Sequence, residues 1–421
     1  MKLWQPKTKL GRRLWAATLW GSSGILVLSI VQSIAGTQEL TSHGTFGAAL
    51  RLAMPIMLAG LGAVYSERAG VVNIGLEGMM IMGTWFSAWG AWQFGNPWWG
   101  VVFGIIGGAI GGLIHAIATV TFAVDNIVSG VAVNILAVGG MRFLSAVSYA
   151  PDSGGGATQS PHVAGIGTFS LPFLAGGNLF GWKSPDFFGW LEAHRWFFLS
   201  DIGGLLRGLT GGLSWLTLLA LLLVPATIWL LWKTPWGLRL RSCGENPYAA
   251  ESLGVSVLKM KYYGVIISGA MSGLGGTMLV LVQAGIYREG QTAGRGYIGL
   301  AALIFGNWNP AGALAGATLF GFADALRLRS EVAVHALLLF IAVLLLVLVL
   351  WLLYRRRWVP AAATGFFAAL FFVLYLTVAV VPTQFISFTP HLTTLLVLGL
   401  ATQRLRMPAA DGLRYRKGEA V

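Results

Sequence analysis

The sequence predicts an all-α polytopic membrane protein with about 12 transmembrane helices and both termini in the cytoplasm. Three observations predict it. Only 10% of the 421 residues are Asp, Glu, Lys or Arg, against roughly 25% in ordinary soluble domains. Hydrophobic residues make up 56% and the mean hydropathy is +0.72, more apolar surface than a soluble or disordered chain can solvate. Finally, the apolar residues fall into twelve stretches, at 14–35, 45–64, 70–92, 98–120, 126–147, 214–232, 262–284, 295–309, 311–326, 333–353, 358–381 and 386–403. Each is long enough, or nearly so, to cross ~30 Å of hydrocarbon as a helix. They are apolar on every face, unlike the alternating segments of a barrel.

The first stretch follows Lys7, Lys9, Arg12 and Arg13 and has no clear small-residue cleavage site, so it reads as a retained helix. Five spans then occupy an N-terminal membrane half, 1–148. Residues 149–213 contain no continuous apolar run long enough to span and read as an extracytoplasmic loop. Loops of that length are uncommon unless they bind something or cover an opening. A second membrane half, 214–330, carries a cytoplasmic loop at 233–261. A two-helix hairpin follows at 331–382, then a last span and basic tail at 383–421. The order places Lys233, Arg239, Arg241, Lys259, Lys261, the Arg355–Arg357 run and Arg404, Arg406, Arg414, Arg416 and Lys417 inside, as retained positive charge requires. Arg327 and Arg329, in the outer turn, run against it. Stretches 295–309 and 311–326 are short and are split by Asn307-Trp308-Asn309-Pro310, where proline favours a fresh helix start. They are either two crossings, as the parity of the basic loops favours, or half-helices.

The net charge of +13 is therefore an orientation signal, and no basic face alternates with stacking aromatics as nucleic-acid binding would require. Cys243 is the only cysteine. No phosphate-cradling G-x-x-x-x-G-K-[ST], no H-E-x-x-H and no G-x-S-x-G occurs, and His115, His162, His194 and His391 lack metal-ligand spacing. A hydrolase or metalloenzyme is poorly supported. Glycines stand four apart at Gly104, Gly108 and Gly112, at Gly107 and Gly111, at Gly269 and Gly273, and at Gly312 and Gly316, spacing that lets helix backbones approach closely.

Four stretches carry the chemistry. In 65–80, polar residues and glycines interrupt the spans. Asn73 and Glu77 share a helix face; Glu77 either pairs with a helix end or Arg68 or forms a polar wall of a substrate path, since an intramembrane carboxylate must face protein or water. In 125–134, Asp125 or Asn126 can cap a helix on which Asn134 sits eight residues beyond Asn126, as helix glue or ligand contact. In 239–254, Asn246 as N-cap, Pro247 at N1 and Gly254 as a stop predict a helix of about two turns, which needs packing from elsewhere. It rests on lipid headgroups or plugs into a soluble partner. In 294–310, Ile-Gly-Leu repeats residues 74–76, and paired glycine-broken segments in two halves point to a transporter's binding region.

Together these stretches resemble the permease subunits of bacterial ATP-binding-cassette importers of the ribose/branched-chain-amino-acid superfamily, closest to the nucleoside (simple-sugar) permeases. SERAGVVNIGLEGMM, DNIVSGVAVNIL, RSCGENPYAAESLGV, GRGYIGLAALIFGNWNPAGALAGATLFGFADAL and the tail HLTTLLVLGLATQRLRMPAADGLRYRKGE carry the resemblance in order. It covers most of 45–330 and 383–418. It implies a ten-span importer core, to which 331–382 adds an extra hairpin, in a multi-pass protein of the bacterial inner membrane. The chain would not be an enzyme and would bind no cofactor itself; ATP and Mg would lie on partner ATPase subunits. A second related permease, an extracytoplasmic substrate-binding lipoprotein and membrane lipid would be the other partners, with no nucleic acid. Gly244, Glu245, Asn246, Pro247, Ala249, Ala250 and Gly254 would form the coupling helix that the ATPase grips. Asn73, Glu77, Asn126 and Asn134 are the candidates for the path of a nucleoside or related polar solute. The rival is a secondary transporter, for which Glu77, Arg51 and Asp324 offer intramembrane charge.

Overall fold

The computed structural model describes residues 9–150, 154–179, 181–327, 331–378 and 405–416. In chain order the helices are α1 Lys9–Ala35, α2 His43–Arg68, α3 Leu76–Phe94, α4 Pro97–Ala116, α5 Asn126–Ser148, α6 Phe187–Ala193, α7 Leu199–Thr210, α8 Trp215–Lys233, α9 Pro235–Glu245, α10 Pro247–Ser252, α11 Val257–Met278, α12 Arg295–Phe305, α13 Pro310–Arg327, α14 Glu331–Tyr354 and α15 Trp358–Thr377. Single π-helical turns extend α4 over Ile117–Thr121 and α11 over Leu279–Ala284. Among the described residues strand structure is limited to two-residue pieces, including β1 Asn178–Leu179 pairing antiparallel with β2 Trp182–Lys183. Among the described residues seven helices are long and apolar enough to cross a membrane. The expected last span, 386–403, and the core of the outer turn at 327–331 lie outside the described residues.

The chain divides into two compact units. The larger comprises Leu50–Thr168, Leu213–Gly321 and His391–Val421. Its centre is built on glycine. Gly104, Gly108 and Gly112 of α4 face Gly269 and Gly273 of α11; a Cβ on Gly108 would fall 2.6 Å from the Gly273 Cα, and one on Gly112 2.7 Å from the Val265 carbonyl oxygen. Gly83 of α3 packs on the same Gly273. Removing side chains lets the three backbones touch and gain dispersion contacts that lipid does not supply. Side-chain caps set the helix starts: Asn96 accepts from the Trp98 N–H with Pro97 at N1, Asp125 from Ile127 and Val128, and Thr234 from Gly237 with Pro235 at N1. Asp125, rather than Asn126, is thus the cap of α5.

The smaller unit comprises Met1–Ala49, Phe169–Gly212 and Phe322–Pro390. Val31, Leu40, Leu326, Ala336 and Leu339 form its core. Buried Asp201 accepts from Gln32 and Thr41. In α14 and α15, the His335 ring stacks on Tyr375 at 4.5 Å and its Nε2 meets the Tyr375 carbonyl at 2.8 Å. The part of the expected extracytoplasmic segment that falls here is folded. Asp186 caps α6 through the Gly189 N–H at 2.7 Å, α7 follows, and the rings of Trp190, His194 and Trp196 pack together in tilted and edge-on contacts. Its helices are only 7 and 12 residues long, too short and too polar to stand out as apolar runs.

Two expected spans are broken. Residues 69–75 are not helical, so the third begins at Leu76, not near residue 70. The stretch at 295–309 gives only the 11 residues of α12, or about 16 Å at 1.5 Å per residue, half of what a crossing needs. It is preceded by ten non-helical residues, 285–294. Irregular backbone at membrane depth persists only where protein or a water-filled cavity surrounds it, and both breaks lie inside the larger unit.

Candidate functional site: two broken spans held together by Glu77

The two breaks meet. Glu77, in the first turn of α3, directs its carboxylate at the start of α12: Oε1 accepts from the Gly294 N–H at 2.9 Å and Oε2 from the Gly296 N–H at 2.7 Å. A helix N-terminus presents unsatisfied N–H groups and a positive dipole end, so a carboxylate is the complementary group. Gly296 is required there, because a Cβ would sit 2.5 Å from the Glu77 Cα. Gly294 adopts φ +78°, a conformation glycine takes without strain.

Asn134 ties the same region to α5. Its Oδ1 accepts from the Gly78 N–H at 2.7 Å, and its Nδ2 donates to the Ile74 carbonyl at 3.1 Å and the Tyr297 hydroxyl at 2.9 Å. Tyr297 is half exposed. Asn73 is fully buried and donates to Ser268 Oγ at 2.9 Å, while its Oδ1 has no donor among the described residues. Asn73, Glu77 and Asn134 therefore cluster around the breaks. Asn126 does not join them. It lies at the first turn of α5 and lines a cavity with Gly70, Asp125, Lys261 and Tyr415.

Several participants escaped sequence reading. His115 of α4 bonds Ser129 Oγ through Nδ1 at 2.8 Å and the Val72 carbonyl through Nε2 at 3.2 Å. Lys261, read as part of a basic loop, is buried and donates to the Gly70 carbonyl at 3.1 Å. In the structure it stands four residues inside α11 rather than before it. The Gly306–Asn309 turn docks on the last turn of α2, where Arg68 donates twice to the Trp308 carbonyl, at 3.2 and 3.0 Å, and Glu67 accepts from the Trp308 indole. Asn307 and Trp308 both have positive φ, +54° and +56°, strain for a bulky residue that the surrounding bonds must hold.

The segment after α8 forms two helices rather than one. Asn246 caps α10 by accepting from the Ala249 N–H at 3.0 Å, Pro247 stands at N1, and Gly254 takes φ +81° just past the end. Of the predicted coupling residues, Glu245, Asn246, Ala249 and Gly254 are exposed, whereas Gly244, Pro247 and Ala250 are buried against the bundle. Glu245 is also engaged within the chain, 3.6 Å from Arg68 and accepting from the Ala409 N–H at 3.3 Å. Leu253 projects with 83% exposure, the most prominent apolar side chain of this loop. Burial raises the Cys243 thiol to about 11, so it is an inert core residue.

Comparison with known proteins identifies the family. The family model for the branched-chain amino acid transport system permease component matches residues 45–350. The guanosine ABC transporter permease NupQ of Bacillus subtilis is 38% identical over 285 residues, 66% of this chain and 80% of that one. The nucleoside ABC transporter permease NupC of Lactococcus lactis is 30% identical over 371 residues, 87% of this chain and 94% of that one. The putative glucose ABC transporter permease TsgC13 of Haloferax volcanii is 32% identical over 288 residues, 68% and 78% of the two chains. No solved structure matches. The chain belongs to the branched-chain amino acid transport system permease family and is a multi-pass membrane protein.

Proposed function

We propose that this permease is the membrane-crossing subunit of an ATP-driven importer for nucleosides or a related small polar solute such as a simple sugar. The observation that carries the reading is the capped, six-residue α10, whose Ala249 and Leu253 face outward beside a buried inner face. A helix this short is stable only when packed against other structure, and its outward face is left for a partner. With the similarity to nucleoside and sugar permeases, an ATPase chain is the partner that covers it. ATP and Mg lie on that chain. A second permease and an extracytoplasmic substrate-binding lipoprotein complete the assembly.

Twelve crossings with both termini inside fit this reading if 285–294 and α12 together make one discontinuous crossing, so that the parity of the basic loops is kept. The solute path runs by the two breaks. Asn73, with an unsatisfied buried acceptor, and Asn134 with its half-exposed partner Tyr297 are the groups a hydrogen-bonding solute meets; Glu77 serves the path by fixing the break geometry. Asn126 contributes at its cytoplasmic end.

The test is reconstitution of the complete complex in vesicles. ATP-dependent uptake that purine nucleosides, pyrimidine nucleosides or ribose compete away is expected. Uptake by this chain alone, without an ATPase, overturns the reading. Replacing Ala249 with Arg and Leu253 with Asp together should abolish co-purification of the ATPase.

A further inference from the structure

Residues 405–416 form no helix, yet Pro408, Ala410, Asp411 and Tyr415 are buried. The backbone is pinned at three places. The Arg406 N–H donates to Asn307 Oδ1 at 2.7 Å, the Ala409 N–H to Glu245 Oε2 at 3.3 Å and the Ala410 N–H to the Gly244 carbonyl at 2.8 Å. Further on, the Tyr415 ring lies 5.4 Å from that of Tyr248 and packs with Cys243, Ala250 and Val257. This strap therefore supplies part of the packing that α10 lacks by itself.

The other side of the strap rests on the first break. A Cβ on Gly70 would sit 3.2 Å from the Gly244 Cα and 3.3 Å from the Ala410 carbonyl oxygen, and one on Gly412 3.3 Å from the Val72 side chain. Asp411 is buried and lies against Glu67 at the end of α2. Burial, and then the neighbouring Glu67 carboxylate, hold the Asp411 carboxyl well above the usual carboxylate range. Two buried carboxyl groups in contact are stable when one proton is shared between them.

We propose that the strap, residues 405–416, is a positioning element that carries movement of α10 to the break at 69–75, through Ala409, Ala410 and Tyr415 on one side and the Asp411–Glu67 pair on the other. It rests on the reading of α10 as the ATPase-contacting helix. Neither Asp411 nor Tyr415 touches the ATPase in this arrangement; they set the geometry by which docking at α10 reaches Asn73 and Glu77.

The experiment uses the complete complex in vesicles and measures nucleoside imported per ATP hydrolysed, together with the ATPase co-purified. Tyr415→Ala and Asp411→Leu should retain the ATPase and lower the import per ATP by roughly tenfold, a coupling loss of about 1.4 kcal/mol. Asp411→Asn, whose amide can donate to Glu67, should stay within about twofold. A chain ending at residue 404 should behave as Tyr415→Ala; if it does not assemble, the point variants decide by the same ratio. An unchanged ratio in Tyr415→Ala and Asp411→Leu overturns the proposal, whether or not the amount of complex falls. If the Ala249→Arg/Leu253→Asp chain keeps its ATPase, the reading of α10 fails instead, an outcome the strap variants do not produce.

Discussion

The α3–α4–α11 core and the α14–α15 hairpin show opposite ways of living in a membrane. The hairpin contains the more apolar sequence: the stretch His335–Tyr354 has a mean hydropathy of 3.4, against 1.9 for Val257–Ala284. Yet 72% of the most apolar window of Val257–Ala284 is buried in protein, and only 22% of that of His335–Tyr354. Large side chains such as Leu346, Trp351 and Phe366 face outward, where lipid solvates them at no cost. In the core, glycine, serine, asparagine and glutamate replace leucine, and protein takes the place of lipid. Hydropathy thus identifies membrane helices, but the most apolar of them is far from the most tightly packed.

The largest expected effect is at the glycine contact. Gly108→Leu drives a side chain into the Gly269 and Gly273 backbone, which cannot move away as a flexible side chain can. A loss of about 3 kcal/mol or more, the upper end of overpacking costs, is expected in denaturant unfolding of the purified chain in detergent. Wild-type stability would dissolve the contrast between the two regions. Next, Glu77→Ala strands the buried Gly296 N–H and the part-buried Gly294 N–H at the start of α12 and should cost about 2–3 kcal/mol in the same measurement, because the core is held by satisfied polar groups as well as close packing. Asn134→Leu should cost about 1–3 kcal/mol. Tyr297→Phe, which deletes only one of Asn134's partners, should cost less than about 1 kcal/mol; a larger effect would move Tyr297 from the path into the framework.

In the hairpin, Trp351→Ala and Phe366→Ala should each stay within about 0.5 kcal/mol, as for surface sites elsewhere. A cost as large as that of Asn134→Leu would mean that these faces meet protein. The smallest effect concerns pH. Burial alone would raise the Glu192 carboxyl, but bonds from His43 and a 3.0 Å contact with Arg207 outweigh it and hold it below its ordinary value. A depressed acid stabilises the fold above its unfolded value, about 4.3, and that contribution fades as pH falls through the folded value. Melting temperatures in detergent should therefore drop more steeply below about pH 4 for the native chain than for Glu192→Gln. Parallel curves would show that the ion pair adds nothing.

Much of this architecture is legible in the amino-acid sequence. The caps at Asp125 and Asn246, the restart at Pro310 and the glycine rows are local signals: each depends on residues within a few positions, and each stands in the fold as its chemistry requires. Breaks near 70–78 and 294–299 are legible too, as paired glycine-rich stretches. The bond between them is not. Glu77 and Gly294 are separated by more than two hundred positions, and nothing in either neighbourhood names the other. The same holds for Lys261, whose charge fits an orientation rule equally well, and for residues 405–416, whose basic character conceals a buried Asp411 and Tyr415.

By itself, then, the sequence determined that the chain is a helical membrane protein, where most helices begin, and which residues interrupt them, because solvation and backbone capping act over short range. Only the tertiary structure decided that Glu77 closes the start of α12, that α12 is no more than 11 residues long, and that Asp411 meets Glu67. Those outcomes depend on which helices approach closely enough to exchange hydrogen bonds in a medium that supplies none.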